Sequence, residues 1–323
     1  MPRLVRALVL LLSGSALAQD TEKALRTIKA ADIQKHQVFL SSDKLQGREA
    51  GSEGGHQAAL YIAEQVKKWG LKPGGMGDSY FQPFGGGEPR KPDDKGSKNI
   101  IAVWPGTDAK LKDEYVVVAA HYDHVGLGFK GSNAGAGGKP GEIHNGADDN
   151  ASGTSTLLDI AEAVGQAKLK RTVVCIWFDA EEGGLVGSRH WTANPTLDLA
   201  KCFAMINCDM IGRNEMTKIF CGVAKDAKGD PTFPKWVALV KEIEKQYRLS
   251  FDWSGFDSYI KQSDHWPFME KGVPSIFFTA GLHADYHTDR DDIEKINFAK
   301  EELIGRFVFA LLAKVANTAT AIK

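Results

Sequence analysis

The sequence predicts an α/β fold in three layers, α/β/α, around a mostly parallel central sheet. Two observations lead there. Short unbroken apolar runs rich in β-branched residues recur along the chain, and stretches of helical spacing alternate with them. Strands that are apolar on both faces need cover on both sides, which crossover helices supply. The third observation is the lack of any internal repeat, low-complexity tract or evident linker, which makes residues 19–323 one expected domain. Composition agrees, since 43% apolar and 25% charged residues exclude a disordered chain.

The elements follow in order. Residues 1–18 read as an export signal: Arg3 and Arg6, an apolar run over 7–12, then Ala16-Leu17-Ala18 as a small-x-small cleavage site. The run is too short to span a bilayer. The expectation is export to periplasm or medium, with no membrane attachment once the signal is cut. Residues 22–69 read as two helical stretches around a polar loop, the second placing Ala59, Ile62, Ala63 and Val66 at helical spacing. The Gly/Pro-rich segment 70–97 reads as a loop and an edge hairpin.

Strands are expected at 99–104, 114–120, 172–178, 202–208, 218–221 and 275–279, and helices at 152–164, 234–247 and 297–316. The last helix is apolar but carries Arg306 and Lys314, so it packs on a core rather than crossing a membrane. Export permits disulfides. Cys202 and Cys208 stand too far apart along one strand to bond each other. A Cys208–Cys221 link across a hairpin stays open, and no C-x-x-C spacing supports a thiolate metal site.

Several motifs fail. V-G-L-G-F-K-G (125–131) matches a dinucleotide fingerprint, yet S-N-A-G-A-G-G-K-P-G follows where a helix should start. Neither G-x-S-x-G nor H-E-x-x-H occurs. Ser263-Asp264-His265 are triad residue types as sequence neighbours, whereas triad members meet in space. Forty basic against 41 acidic residues with no basic stripe argue against nucleic acid as a partner.

Five acidic or His-bearing segments stand where strands end: A-A-H-Y-D-H (119–124), G-A-D-D-N-A-S-G (146–153), D-A-E-E-G-G-L-V-G-S (179–188), N-C-D-M-I-G (207–212) and A-D-Y-H-T (284–288). Carboxyl ends of parallel strands line one crevice. His121, Glu181, Glu182 and Asp209 are therefore expected to converge. Imidazoles and carboxylates without thiolate suit Zn²⁺, Mn²⁺ or Co²⁺. Two open sites sharing one carboxylate need five ligands, and one more carboxylate to move protons.

The order H-x-D, G-x-D-D-N-x-S-G, E-E, a later D and a final H resembles the M28 family of zinc peptidases. Residues 39–52, 70–84 and S-D-H-W-P-F (263–268) resemble further blocks of that family, so the likeness covers nearly all of the chain after residue 18. The resemblance implies a zinc-exopeptidase-like fold and two Zn²⁺ per chain. It implies Asp149 as the bridging ligand, His121 and Asp209 on one metal, and Glu182 and His287 on the other. Glu181 would be the general base toward a water activated by both metals, with Asp123 supporting His121. It further implies a cis Asp149–Asn150 peptide bond and a tyrosine ahead of the S-D-H block, nearest at Tyr259, to hold an oxyanion. His124, His144 and His265 match no role and read as structural or rim residues. The apolar run 253–260 is a candidate side-chain pocket or a core-facing loop.

The function so implied is a secreted two-zinc exopeptidase, an aminopeptidase acting on peptides. The alternatives are a glutaminyl-peptide cyclase or a carboxypeptidase or dipeptidase of the same fold. A non-catalytic binding protein would have lost ligands or base, and all six positions are filled.

Overall fold

A computed structural model describes residues 16–85, 95–254 and 258–322. The expected export signal, residues 1–18, falls mostly outside the described residues, and so do residues 255–257 of the apolar run 253–260. Among the described residues nine strands form one sheet: β1 (Lys72–Pro73), β2 (Phe81–Pro83), β3 (Lys98–Trp104), β4 (Tyr115–His121), β5 (Thr172–Phe178), β6 (Cys202–Cys208), β7 (Lys218–Gly222), β8 (Ser250–Asp252) and β9 (Ser275–Thr279). Their order is β1-β3-β5-β4-β6-β9-β7-β8, with β2 also paired to β3.

The block β5-β4-β6-β9 is parallel throughout. Antiparallel partners flank it, β3 against β5 and β7 against β9. The chain leaves β4 for β5 on one side and then reaches β6 on the other. Strand order thus reverses at β4, where ligands bind in such sheets.

Both faces of the sheet are buried, and strand alternation divides them. Val116, Val118 and Ala120 of β4 join the larger core with α1 (Ala16–Leu25), α2 (Ala30–Leu40), α3 (Glu53–Lys68), α4 (Gly153–Gln166), α6 (Pro234–Glu244) and α8 (Phe298–Asn317). Tyr115, Val117 and Ala119 join the smaller core. There Trp191 of α5 (Val186–Ala193) stacks on Phe268 of α7 (His265–Glu270), ring centroids 5.2 Å apart. The Arg306-bearing helix α8 packs on the core, and among the described residues no helix is long and apolar enough to cross a membrane.

Strand pairing closes the disulfide question. Cys208 and Cys221 both pair with Phe278, one from each side of β9. They lie two strand spacings apart, about 9–10 Å, beyond the reach of a disulfide. None of the four cysteines forms a disulfide, and all are buried.

Candidate metal centre

The parallel strands deliver their ends to one edge. His121 is the last residue of β4, Glu181 and Glu182 follow β5, Asp209 follows β6, and His287 lies in the loop after β9. Asp149 arrives from the turn that leads into α4.

That turn is held in place by its own sequence. Gly146 has φ +57°, and a Cβ there would strike the Asp149 carbonyl and the His124 ring, so glycine is required. The carboxylate of Asp291 accepts the backbone N–H groups of Asp148 and Asp149, each at 3.0 Å. Asp148 turns away to accept Gly212 N–H at 2.6 Å. Asn150 donates to the Cys208 carbonyl and accepts from Met210 N–H, tying the turn to the end of β6. The Asp149–Asn150 peptide is cis, as the resemblance implies. Asp149, and not Asp148, is the member of the acidic pair that faces the crevice.

Two groups of donor atoms form around it. His121, Asp149 and Asp209 make one; His124, Asp149, Glu182 and His287 make the other, and within each group all donor atoms lie within 4.8 Å of one another. His121 Nε2 is 3.3 Å from Asp149 Oδ1 and 3.3 Å from Asp209 Oδ1. His287 Nε2 is 3.1 Å from Asp149 Oδ2 and 3.0 Å from Glu182 Oε2. Both imidazoles are oriented by their other nitrogen. His287 Nδ1 bonds the Gly131 carbonyl at 2.9 Å, and His121 Nδ1 meets the Asp123 carbonyl at 3.2 Å. With Nδ1 carrying the proton, Nε2 offers a lone pair to the cluster, the arrangement that metal-binding histidines require.

Asp123 organises the neighbouring turn. Its Oδ1 accepts Glu181 N–H at 3.1 Å and its Oδ2 accepts Glu182 N–H at 3.3 Å. The same carboxylate lies 3.4 Å from His121 Nδ1. One buried side chain so fixes the glutamate pair relative to the first histidine.

The electrostatics tests whether cations fit. Burial, with the charges of Glu182, Asp209 and Asp264, pushes the Glu181 carboxyl well above its usual range despite His121. Burial raises Asp209 as well. Against burial, hydrogen bonds from His121 and His287 hold Asp149 far below the carboxylate range. His287 is raised to about 11, the Asp149 and Glu182 carboxylates outweighing its desolvation. The crowded carboxylates thus favour positive charge at both imidazoles. Divalent cations would take over that charge, and the buried oxygen and nitrogen donor set suits zinc.

Sequence reasoning missed four contributors. His124 joins the second donor group instead of standing at a rim, with Nδ1 2.8 Å from Glu182 Oε1. Its place beside His121 in H-Y-D-H was the available signal. Tyr286 stacks on His287 with centroids 3.9 Å apart, and burial together with the nearby carboxylates raises its pKa. Tyr259 instead packs against Phe220. Asp291 has been described. The fourth is Arg48 of the Q-G-R-E block, whose guanidinium donates to the carbonyls of Leu40, Tyr122, Asn145 and Gly146. His144 is structural, bonded to Ser132 and the Glu142 carbonyl, and His265 stacks on Phe277.

Arg48 therefore clamps the end of β4 to the turn that carries Asp149. Replacing it with Met leaves these carbonyls without their donor, and a cost of about 3–5 kcal/mol is expected. Urea unfolding followed by tryptophan fluorescence measures it, and an unchanged midpoint would contradict the clamp.

Comparisons with known proteins bear on the site. Residues 99–312 match the profile of Peptidase family M28. The chain is 26% identical over 314 residues to leucine aminopeptidase 1 of Phaeosphaeria nodorum, covering 92% of this chain and 73% of that protein. It is 30% identical to leucine aminopeptidase 1 of Ajellomyces capsulatus over 76% of this chain, and spans 61% of that relative's length. The fold resembles the LapA aminopeptidase of Legionella pneumophila with a TM-score of 0.69 at 18% identity, covering 98% of this chain and 79% of that one.

Proposed function

The chain belongs to peptidase family M28, and from that premise we propose that it is a two-zinc aminopeptidase that hydrolyses residues from the free amino ends of peptides. The observation that carries the reading is the pair of donor groups joined at Asp149, with Glu181 next to the Glu182 donor. His121, Asp149 and Asp209 would hold one zinc, and Asp149, Glu182 and His287 the other. Zinc in paired sites supplies Lewis acidity toward a carbonyl oxygen and lowers the pKa of water.

The chain's own residues do the rest. Asp149 turns one oxygen toward His121 and the other toward His287, so a single rigid carboxylate sets the spacing of the pair. Glu181 takes a proton from the attacking water and returns it to the leaving amine. Desolvation suits it to that task, because a carboxyl whose pKa is raised keeps the proton between the two steps. Asp123 fixes the backbone from which Glu181 projects. Carboxylates around the crevice attract a protonated α-amino group, which selects free amino ends.

The test is mass spectrometry of a peptide panel that includes N-terminal Gln peptides and acetylated twins. Loss of successive N-terminal residues from free peptides alone is expected. Loss of ammonia from the Gln peptides alone would replace this reading with cyclase chemistry, and release from the carboxyl end would replace it with a carboxypeptidase.

Export completes the proposal. Arg3, Arg6 and the apolar run before Ala18 support a signal cut after that residue. Protein recovered from medium or periplasm is expected to begin at Gln19, read from the mass of its N-terminal peptide. An uncut Met1 terminus on cytoplasmic protein would contradict it.

A further inference from the structure

We infer that His124 is a positioning residue for Glu182: its Nδ1–H holds Glu182 Oε1 and leaves Oε2 as the one oxygen of that carboxylate for zinc. The inference rests on the two-zinc reading above and gives a role to a residue that reading leaves unused.

Proximity puts His124 among the donors around Asp149, Glu182 and His287, but its hydrogen bonds set it apart. Metal-binding imidazoles are oriented from behind, as the carbonyls of Asp123 and Gly131 orient His121 and His287 at Nδ1. His124 has no such partner. Its Nε2 is buried and bonds nothing, and its Nδ1 meets Glu182 Oε1 at 2.8 Å. Only the tautomer with the proton on Nδ1 makes that contact attractive, because the other sets two lone pairs against each other. The ring is itself fixed. His124 is 1% exposed, its backbone N–H bonds the Arg48 carbonyl at 3.3 Å, and Gly146, lacking a Cβ, leaves room for the ring edge.

Glu182 is then gripped at both ends. Asp123 Oδ2 accepts its backbone N–H at 3.3 Å, and His124 donates to Oε1, a charge-assisted bond. The other oxygen, Oε2, stands 3.0 Å from His287 Nε2. Asp149 Oδ2 is 3.1 Å from the same nitrogen, and 3.8 Å from His124 Nδ1, too far for a second hydrogen bond. His287 Nε2, Asp149 Oδ2 and Glu182 Oε2 therefore form a set of three, with His124 outside it. Three protein donors leave a position free, as His121, Asp149 and Asp209 do in the other group. A position for water stays open in each.

The experiment is ¹⁵N NMR of the imidazole nitrogens in zinc-loaded protein labelled at histidine, with zinc affinity measured by calorimetry. The wild type is expected to show His124 with a proton on Nδ1 and a bare Nε2, neither nitrogen carrying the shift that ligation causes. Loss of the signal in either variant below assigns it. A metal-shifted Nδ1, or the proton on Nε2, overturns the inference in the wild type itself. The variants separate the donor from the ring. Asparagine places its amide nitrogen where Nδ1 stood, whereas leucine fills space and donates nothing. His124→Leu is expected to weaken one of the two zinc-binding events roughly 10- to 100-fold, and His124→Asn to keep it within about threefold of wild type. Equal weakening in both makes His124 a packing residue and also overturns the inference. Fewer than two zinc ions bound by the wild type at saturation would overturn the two-zinc reading itself, a result read from stoichiometry and separate from the ring signals.

Discussion

Glu181→Gln is expected to lower kcat by about 10³-fold while leaving both zinc ions in place. The two halves of that expectation come from different atoms. Glu181 is held through its backbone N–H by Asp123, and it is absent from both donor groups. Glutamine preserves its size and that tether, so neighbouring ligands keep their positions. What disappears is the only property the proposed mechanism asks of it, a carboxylate able to take and return a proton. Burial and nearby carboxylates raise its pKa, so the native group is a stronger base than an exposed glutamate. Rates come from a free-amine peptide, and zinc from plasma emission on the same samples. Full activity would remove Glu181 from the mechanism. Loss of zinc would make it a ligand.

Asp149→Asn is expected to have the larger effect on composition, dropping zinc below one per chain and activity to background. Asp149 is the one residue shared by both donor groups. Asparagine offers one neutral oxygen where two charged ones faced His121 and His287. The turn itself should survive, since Asp291 holds the backbone N–H of residue 149 rather than its side chain. The adjacent position supplies the control. Asp148 accepts Gly212 N–H and approaches His283, outside both groups. Asp148→Asn should therefore lower stability and spare zinc content. Two zinc ions retained in Asp149→Asn would break the shared-ligand geometry.

The parallel strands were legible because their information is local. Residues 172–178, 202–208 and 275–279 are strands over the same bounds that the apolar runs indicate. Each is bounded by polar or turn residues and buried on both faces. The helices α5 and α7 were not visible, having eight and six residues, too few turns for a periodic pattern to stand out. They are stabilised by Trp191 on Phe268, a contact across 77 positions of chain that no local window contains. The marginal strands β1, β2 and β8 are two or three residues long and exist only as partners of β3 and β7.

The site divides in the same way. His121, Glu181, Glu182 and Asp209 follow from strand ends, and the resemblance supplied Asp149 and His287. The residues that hold them escaped notice. Arg48 and Asp291 act on backbone groups roughly 75 to 145 positions away, where sequence shows no pairing. His124 escaped for a different reason: its place in H-Y-D-H is the one local signal, and only the fold puts Glu182 beside it.

The account stands most directly on one measurement. Chelated enzyme is assayed by mass spectrometry on a free-amine peptide and its N-acetylated twin while Zn²⁺ is returned in fractions of an equivalent. The account predicts no cleavage without metal. It predicts stepwise removal of N-terminal residues from the free peptide as zinc approaches two equivalents, with the acetylated twin intact throughout. Cleavage that persists after chelation, or that proceeds equally on the acetylated peptide, would contradict it.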